Sequence, residues 1–103
     1  MKQLSGDHID RIARRAHALA DATRVRIVYT LARNELAVGQ IAASLDSDPS
    51  TISKHLQVLF REGLVTRRRE ARAVIYSIAD AQLLEWCRYF SGRQIGAAAR
   101  KVS

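Results

Sequence analysis

Residues 48–76 read DPSTISKHLQVLFREGLVTRRREARAVIY, and they settle the fold. Asp48 is suited to cap a helix, and Pro49 to be its first residue, where the missing N–H costs nothing. The helix runs to about Glu62 and stops at Gly63. Its residues separate into two faces. Ile52, His55, Leu56 and Leu59 recur at i, i+3, i+4 and i+7, a stripe fit to pack on other helices. Ser50, Ser53, Lys54, Gln57 and Arg61 form a second stripe that is small, polar and cationic, suited to base edges and phosphates. Ser50 and Thr51 also lie near the helix N-terminus, where free amides and the dipole favour a phosphate.

Two runs rich in β-branched residues follow, Leu64–Arg69 and Ala73–Ile78, separated by a short polar tip. They predict a β-hairpin. Arg67, Arg68, Arg69 and Arg72 cluster there against a single acid, Glu70. Like charges held together repel, so a nearby polyanion is the simplest account, and charges on an edge strand also block aggregation. Strand alternation turns some of these side chains away. The tip residues Arg69 and Arg72 are the strongest candidates for DNA contact, with Arg67 beside them.

The flanking segments supply the rest of a domain. Ile9, Ile12, Ala13, Ala16, Leu19 and Ala20 recur at helical spacing and predict a first helix over roughly 8–19, with Arg11, Arg14 and Arg15 on its other side. Asp21 caps a second helix with a stripe of Val25, Ile27, Val28 and Leu31, ending near Asn34. A short third helix carries Val38, Ile41, Ala42 and Leu45, and Asp46, Ser47 and Asp48 make a turn. Asp80 caps a last helix bearing Leu83, Leu84, Trp86, Cys87, Tyr89 and Phe90; the tail after Gly92 is short, basic and loosely held. The order α-α-α-α-β-β-α is mainly helical with a β-hairpin wing: a winged helix-turn-helix.

At 103 residues the chain is one domain. Lys plus Arg is 17 against 10 Asp plus Glu, a net charge of +7 that favours an anionic partner. The single cysteine, Cys87, excludes an intrachain disulfide and points to a reducing compartment. No apolar leader and no run near the ~18 residues of a membrane span is visible, so a cytoplasmic protein is expected. No supported nucleophile–base order, paired carboxylates or glycine-rich phosphate loop suggests an enzyme, and no cofactor is implied.

Three stretches together resemble the ArsR/SmtB family of bacterial repressors. They are LADATRVRIVYTLA (19–32), STISKHLQVLFREGLV (50–65) and RRREARAVIYSI (67–78). The resemblance implies a homodimer built from the helices near 8–19 and 80–91. It also implies binding of double-stranded DNA at an inverted-repeat operator and repression of transcription. Ser50, Thr51, Ser53 and Lys54 match the family's usual DNA-facing positions. His55 matches a frequent histidine and, on the apolar face here, reads as a packed, hydrogen-bonded residue rather than a ligand.

The departures are informative. Ala71 stands at the wing tip where relatives commonly have glycine, and Asp48 caps the recognition helix where they usually have serine. Many relatives carry a metal-binding ELCVCD-like segment on the third helix, whose thiolate pair selects soft metals. This chain reads Glu35-Leu36-Ala37-Val38-Gly39-Gln40, with Ala37 and Gly39 at the cysteine positions and Gln40 at the acid. Other relatives place Asp and His ligands on the last helix, but residues 80–100 hold Asp80 and Glu85 and no histidine. No metal site of either kind is expected. His8, His17 and Cys87 remain, and a site joining the first helix of one subunit to Cys87 of the other stays open. Cys87 reads first as a buried small hydrophobe at a dimer interface. Its alternative is a single-thiol redox switch, which requires exposure and a lowered pKa. A winged helix used for protein–protein contact is a further alternative, though it would not need a cationic helix face and wing arginines together.

Overall fold

The computed structural model describes residues 5–92. Along them run α1 (Gly6–Ala18), α2 (Ala22–Arg33), β1 (Leu36–Ala37), α3 (Val38–Ser44), α4 (Pro49–Arg61), β2 (Val65–Glu70), β3 (Ala73–Ile78) and α5 (Gln82–Ser91). This is the winged helix-turn-helix, with one strand more than the sequence predicts. β1 pairs antiparallel with β3, Leu36 opposite Tyr76 and Ala37 opposite Ile75, so β3 is central in a three-stranded sheet. A two-residue strand is too short to show alternation, so pattern reading passes over it. The basic tail expected after Gly92 lies outside the described residues.

Helix starts follow short side chains that take up free backbone amides. Asp21 accepts from the Arg24 amide at 3.1 Å and Asp48 from the Thr51 amide at 3.1 Å. Ser5 accepts from the His8 amide, which starts α1 two residues before the sequence estimate. Asp80 is one residue outside its expected place: the cap position is Ala81, and the Asp80 carboxylate accepts from the Gln82 amide at 2.9 Å.

The two helices of the motif end alike. Asp46 after α3 and Gly63 after α4 have left-handed φ of 51° and 74°. Each lets the next amide reach back to the last turn, Ser47 to Ala42 and Leu64 to Leu59, both at 2.9 Å. Leu64 is thereby turned into the core, and β2 begins at once.

The largest fully buried side chains are Ile27 and Val28 of α2, Ile41 of α3, Ile52, Leu56 and Leu59 of α4, and Val65 of β2. Each contributes roughly 1.5–3 kcal/mol by burial. None comes from α1 or α5. Every residue of α1 from Gly6 to His17 is exposed, and α5 buries only Leu83 and Cys87. The helix-turn-helix and wing thus hold their own core, while α1 and α5 leave apolar surface uncovered.

Candidate nucleic-acid interface

α4 is fixed on one side by its apolar stripe. Ile52, Leu56 and Leu59 are fully buried and His55 half-buried. That phase leaves Ser50, Thr51, Lys54, Gln57 and Arg61 exposed and Ser53 partly covered. Side chains the sequence grouped by spacing therefore share one outward surface.

α4 is tied to neighbouring helices at its middle and at its C-terminal end by contacts that sequence reading missed. The Arg24 guanidinium donates to the Ala18 carbonyl at 2.6 Å and the His17 carbonyl at 3.3 Å, closing the end of α1. Its Nη1 lies 3.2 Å from His55 Nδ1. Arginine has only donors, so His55 Nδ1 accepts, which places a neutral ring's proton on Nε2. At the C-terminal end of α4 Arg15 donates to the Glu62 carbonyl and Arg14 pairs with the Glu62 carboxylate at 3.3 Å.

The helix N-terminus has an anion of the protein's own. The Asp48 carboxylate accepts from the Thr51 amide and from its hydroxyl at 3.4 Å. The Ser50 hydroxyl, and after it the Thr51 amide, hold this carboxyl below its ordinary value. Donors that sequence reading left for a phosphate are engaged by the protein's own anion, because a capping acid competes for the same amides.

The wing runs from Val65 opposite Ile78 to Glu70 opposite Ala73, leaving Ala71 and Arg72 as a two-residue loop. Ala71 has φ 56°, so this tight turn is made with a Cβ in the left-handed region that favours glycine. The four arginines differ. The Arg67 guanidinium carbon lies 3.9 Å from the centroid of the Phe60 ring, at the end of α4. Arg68 bridges two carboxylates, Glu35 at 2.8 Å and Glu70 at 2.9 Å. Arg69 and Arg72 are exposed, with no ion pair or side-chain hydrogen bond among the described residues. The lone acid counted in the hairpin sequence is joined by Glu35, from the α2–β1 junction.

The sensing end is quieter. Gln40 Oε1 accepts from the Ala37 amide at 2.9 Å, closing the first turn of α3. Cys87 is buried, and burial pushes its thiol above the ordinary value. Arg88, its sequence neighbour, pairs with Glu85. Exposure and a lowered pKa, the two conditions for a redox switch, are both unmet in the described chain. Among the described residues no three His, Cys, Asp or Glu side chains gather where they could hold a metal ion. No helix there is long and apolar enough to cross a membrane.

Known proteins share this fold. The family model for bacterial regulatory proteins of the arsR family matches residues 21–67, from the α2 cap into the wing. The homodimeric winged helix-turn-helix DNA-binding domain of a possible ArsR-family transcriptional regulator from Mycobacterium bovis superposes with a TM-score of 0.76. It is 34% identical, covering 97% of this chain and 93% of that one. The chain belongs to the ArsR family. Among curated ArsR-like relatives, a transcriptional repressor SmtB homolog from Synechocystis is 38% identical over 81 residues, 79% of this chain and 61% of the relative. The transcriptional activator HlyU of Vibrio cholerae is 38% identical over 66 residues, 64% of this chain and 61% of HlyU. The chain thus spans about three-fifths of the length of these curated relatives. Arg24, Glu35 and Phe60 carry contacts within this ArsR-family frame that no local pattern announces, since each acts on a residue of another element.

Proposed function

We propose that this protein is a homodimeric, sequence-specific DNA-binding repressor that recognises an inverted-repeat operator in the cytoplasm. The observation that carries this reading is the shared exposure of Lys54, Gln57 and Arg61 on α4 and Arg67, Arg69 and Arg72 on the wing. Around them stands a chain of net charge +7. Ser50, Thr51 and Ser53 complete the face that meets the major groove, and the wing arginines meet the backbone beside it.

Dimerisation accounts for the uncovered helices. A 13-residue helix is marginal alone in water, and α1 exposes Ile9 and Ile12 along its length. On α5, Trp86, Tyr89 and Phe90 are exposed in the same way. A second copy that covers both helices buries this surface and repeats the recognition helix about a two-fold axis, the symmetry of an inverted repeat. The homodimeric relative from Mycobacterium bovis supports that assembly.

The signal is not a thiophilic metal bound on α3. Ala37 and Gly39 offer no thiolate, and Gln40 is engaged in capping. Selection of bound fragments from genomic DNA, followed by binding titrations of the enriched duplex, tests the reading. A symmetric site should emerge, and Lys54→Ala should bind it more weakly by about 1–3 kcal/mol while staying folded and dimeric. No enriched sequence, or unchanged affinity in Lys54→Ala, would refute it. Loss of binding on adding cadmium or zinc that persists when His8, His17 and Cys87 are replaced by alanine would refute the statement about the signal. Placing the site against a reporter promoter separates repression from the activation named for HlyU.

A further inference from the structure

Arg67, Arg68 and Arg69 are consecutive, and the strand turns them to alternate faces. Arg67 and Arg69 share the face of buried Val65, where Arg67 lies on Phe60. Arg68 shares the other face with Thr66 and Glu70. There its Nη1 meets Glu35 Oε1 at 2.8 Å and its Nη2 meets Glu70 Oε2 at 2.9 Å. Glu35 is held in place from across the sheet, since it directly precedes β1, and β1 is registered on the central strand β3.

Two carboxylates on one guanidinium leave this face with an excess negative charge where the sequence shows a cation. The three side chains are about half exposed, at 49%, 53% and 65%, so the pairs add little to stability. Their consequence is electrostatic. A phosphate nearing this face meets net negative charge, and Arg68 must give up two charge-assisted hydrogen bonds to reach it. Neither Arg69 nor Arg72 is bonded to a carboxylate.

We propose that Glu35 and Glu70 withdraw Arg68 from DNA and leave the wing with a single binding face. Glu35, outside both the helix-turn-helix and the wing, thereby sets the strength and salt dependence of DNA binding. The proposal rests on the reading of α4 and the wing as the DNA-binding surface.

The test compares the full chain with Arg67→Gln, Arg68→Gln and the double variant Glu35→Gln/Glu70→Gln. Fluorescence anisotropy follows binding to the enriched duplex and to a random duplex of equal length. Each lost or gained phosphate contact changes the log–log salt slope by about 0.9, an affinity change of roughly 3.5-fold between 50 and 200 mM salt. Arg67→Gln should lose such a step and Arg68→Gln should not. The double variant should gain one and bind the random duplex more tightly at low salt. Circular dichroism and thermal midpoints confirm that each variant keeps its fold. A shallower slope in Arg68→Gln overturns the proposal, because Arg68 would already be a contact. An unchanged or weaker double variant overturns it equally. Wild-type protein that binds neither duplex defeats the DNA-binding reading itself and this proposal with it.

Discussion

Ala71→Gly should stabilise the protein, against the usual direction of an alanine-to-glycine change. Ala71 opens the two-residue loop of the wing with φ 56°, where a Cβ crowds the following carbonyl. That conformation costs a non-glycine residue about 1–2 kcal/mol. Glycine removes the cost and gives back roughly 0.4–1 kcal/mol through the greater freedom of the unfolded chain. The difference is a net gain of about 0.5–1 kcal/mol. In a domain of this size it raises the thermal midpoint by about 3–6 °C. The assay is thermal unfolding followed by circular dichroism at one fixed protomer concentration, since association couples to stability. Ala73→Gly, two residues on in the first position of β3, is the control. Its φ is not positive, so it should lose about 0.5–1 kcal/mol. An Ala71→Gly midpoint equal to or below wild type would refute the claim that the wing stores this strain.

Other consequences can be checked by simpler means. Cys87 in the native protein should react with a thiol reagent at least about tenfold more slowly than free cysteine, because burial disfavours the reactive thiolate; rapid native labelling would restore the redox-switch alternative. Arg24→Ala should cost about 1–3 kcal/mol in urea unfolding, as it frees the end carbonyls of α1 and the contact to His55. Leu56→Ala opens a void in a fully buried site and should cost about 2–5 kcal/mol, readable as a lower urea midpoint. Asp48→Asn keeps a capping acceptor and removes a negative charge beside the recognition face, so DNA of any sequence should be bound more tightly. Asp21 is also depressed, chiefly by the Arg24 amide hydrogen bond. A carboxyl lowered in the folded state stabilises above its unfolded value near 3.8, and that stability is lost as pH falls through the lower folded value. Asp21→Asn should therefore flatten the acid limb of the stability profile below about pH 4, and an identical limb would count against the cap.

The caps of α2 and α4, the end of α4 at Gly63 and the two faces of α4 were legible because each depends on residues within a few positions. Asp21 and Asp48 reach amides three residues on, and the Ile52–Leu56–Leu59 stripe repeats with the helix. β1 was not legible, since two residues carry no period and pair only because β3 offers an edge. The engagement of Ser50 and Thr51 by Asp48 lies within reach of local reading, yet the same residue types also suit a phosphate. Geometry separates the two uses.

The arginines of the wing mark the boundary most clearly. Their number, their place after the recognition helix and the net charge of +7 follow from composition and order. Which of them stands free does not. Alternation divides adjacent side chains between two faces, but register determines what each face meets. Phe60 under Arg67 and Glu35 against Arg68 come from other elements. Short-range hydrogen bonding and periodic burial make elements readable in one dimension, whereas charge pairing depends on distances that exist only once the sheet has closed.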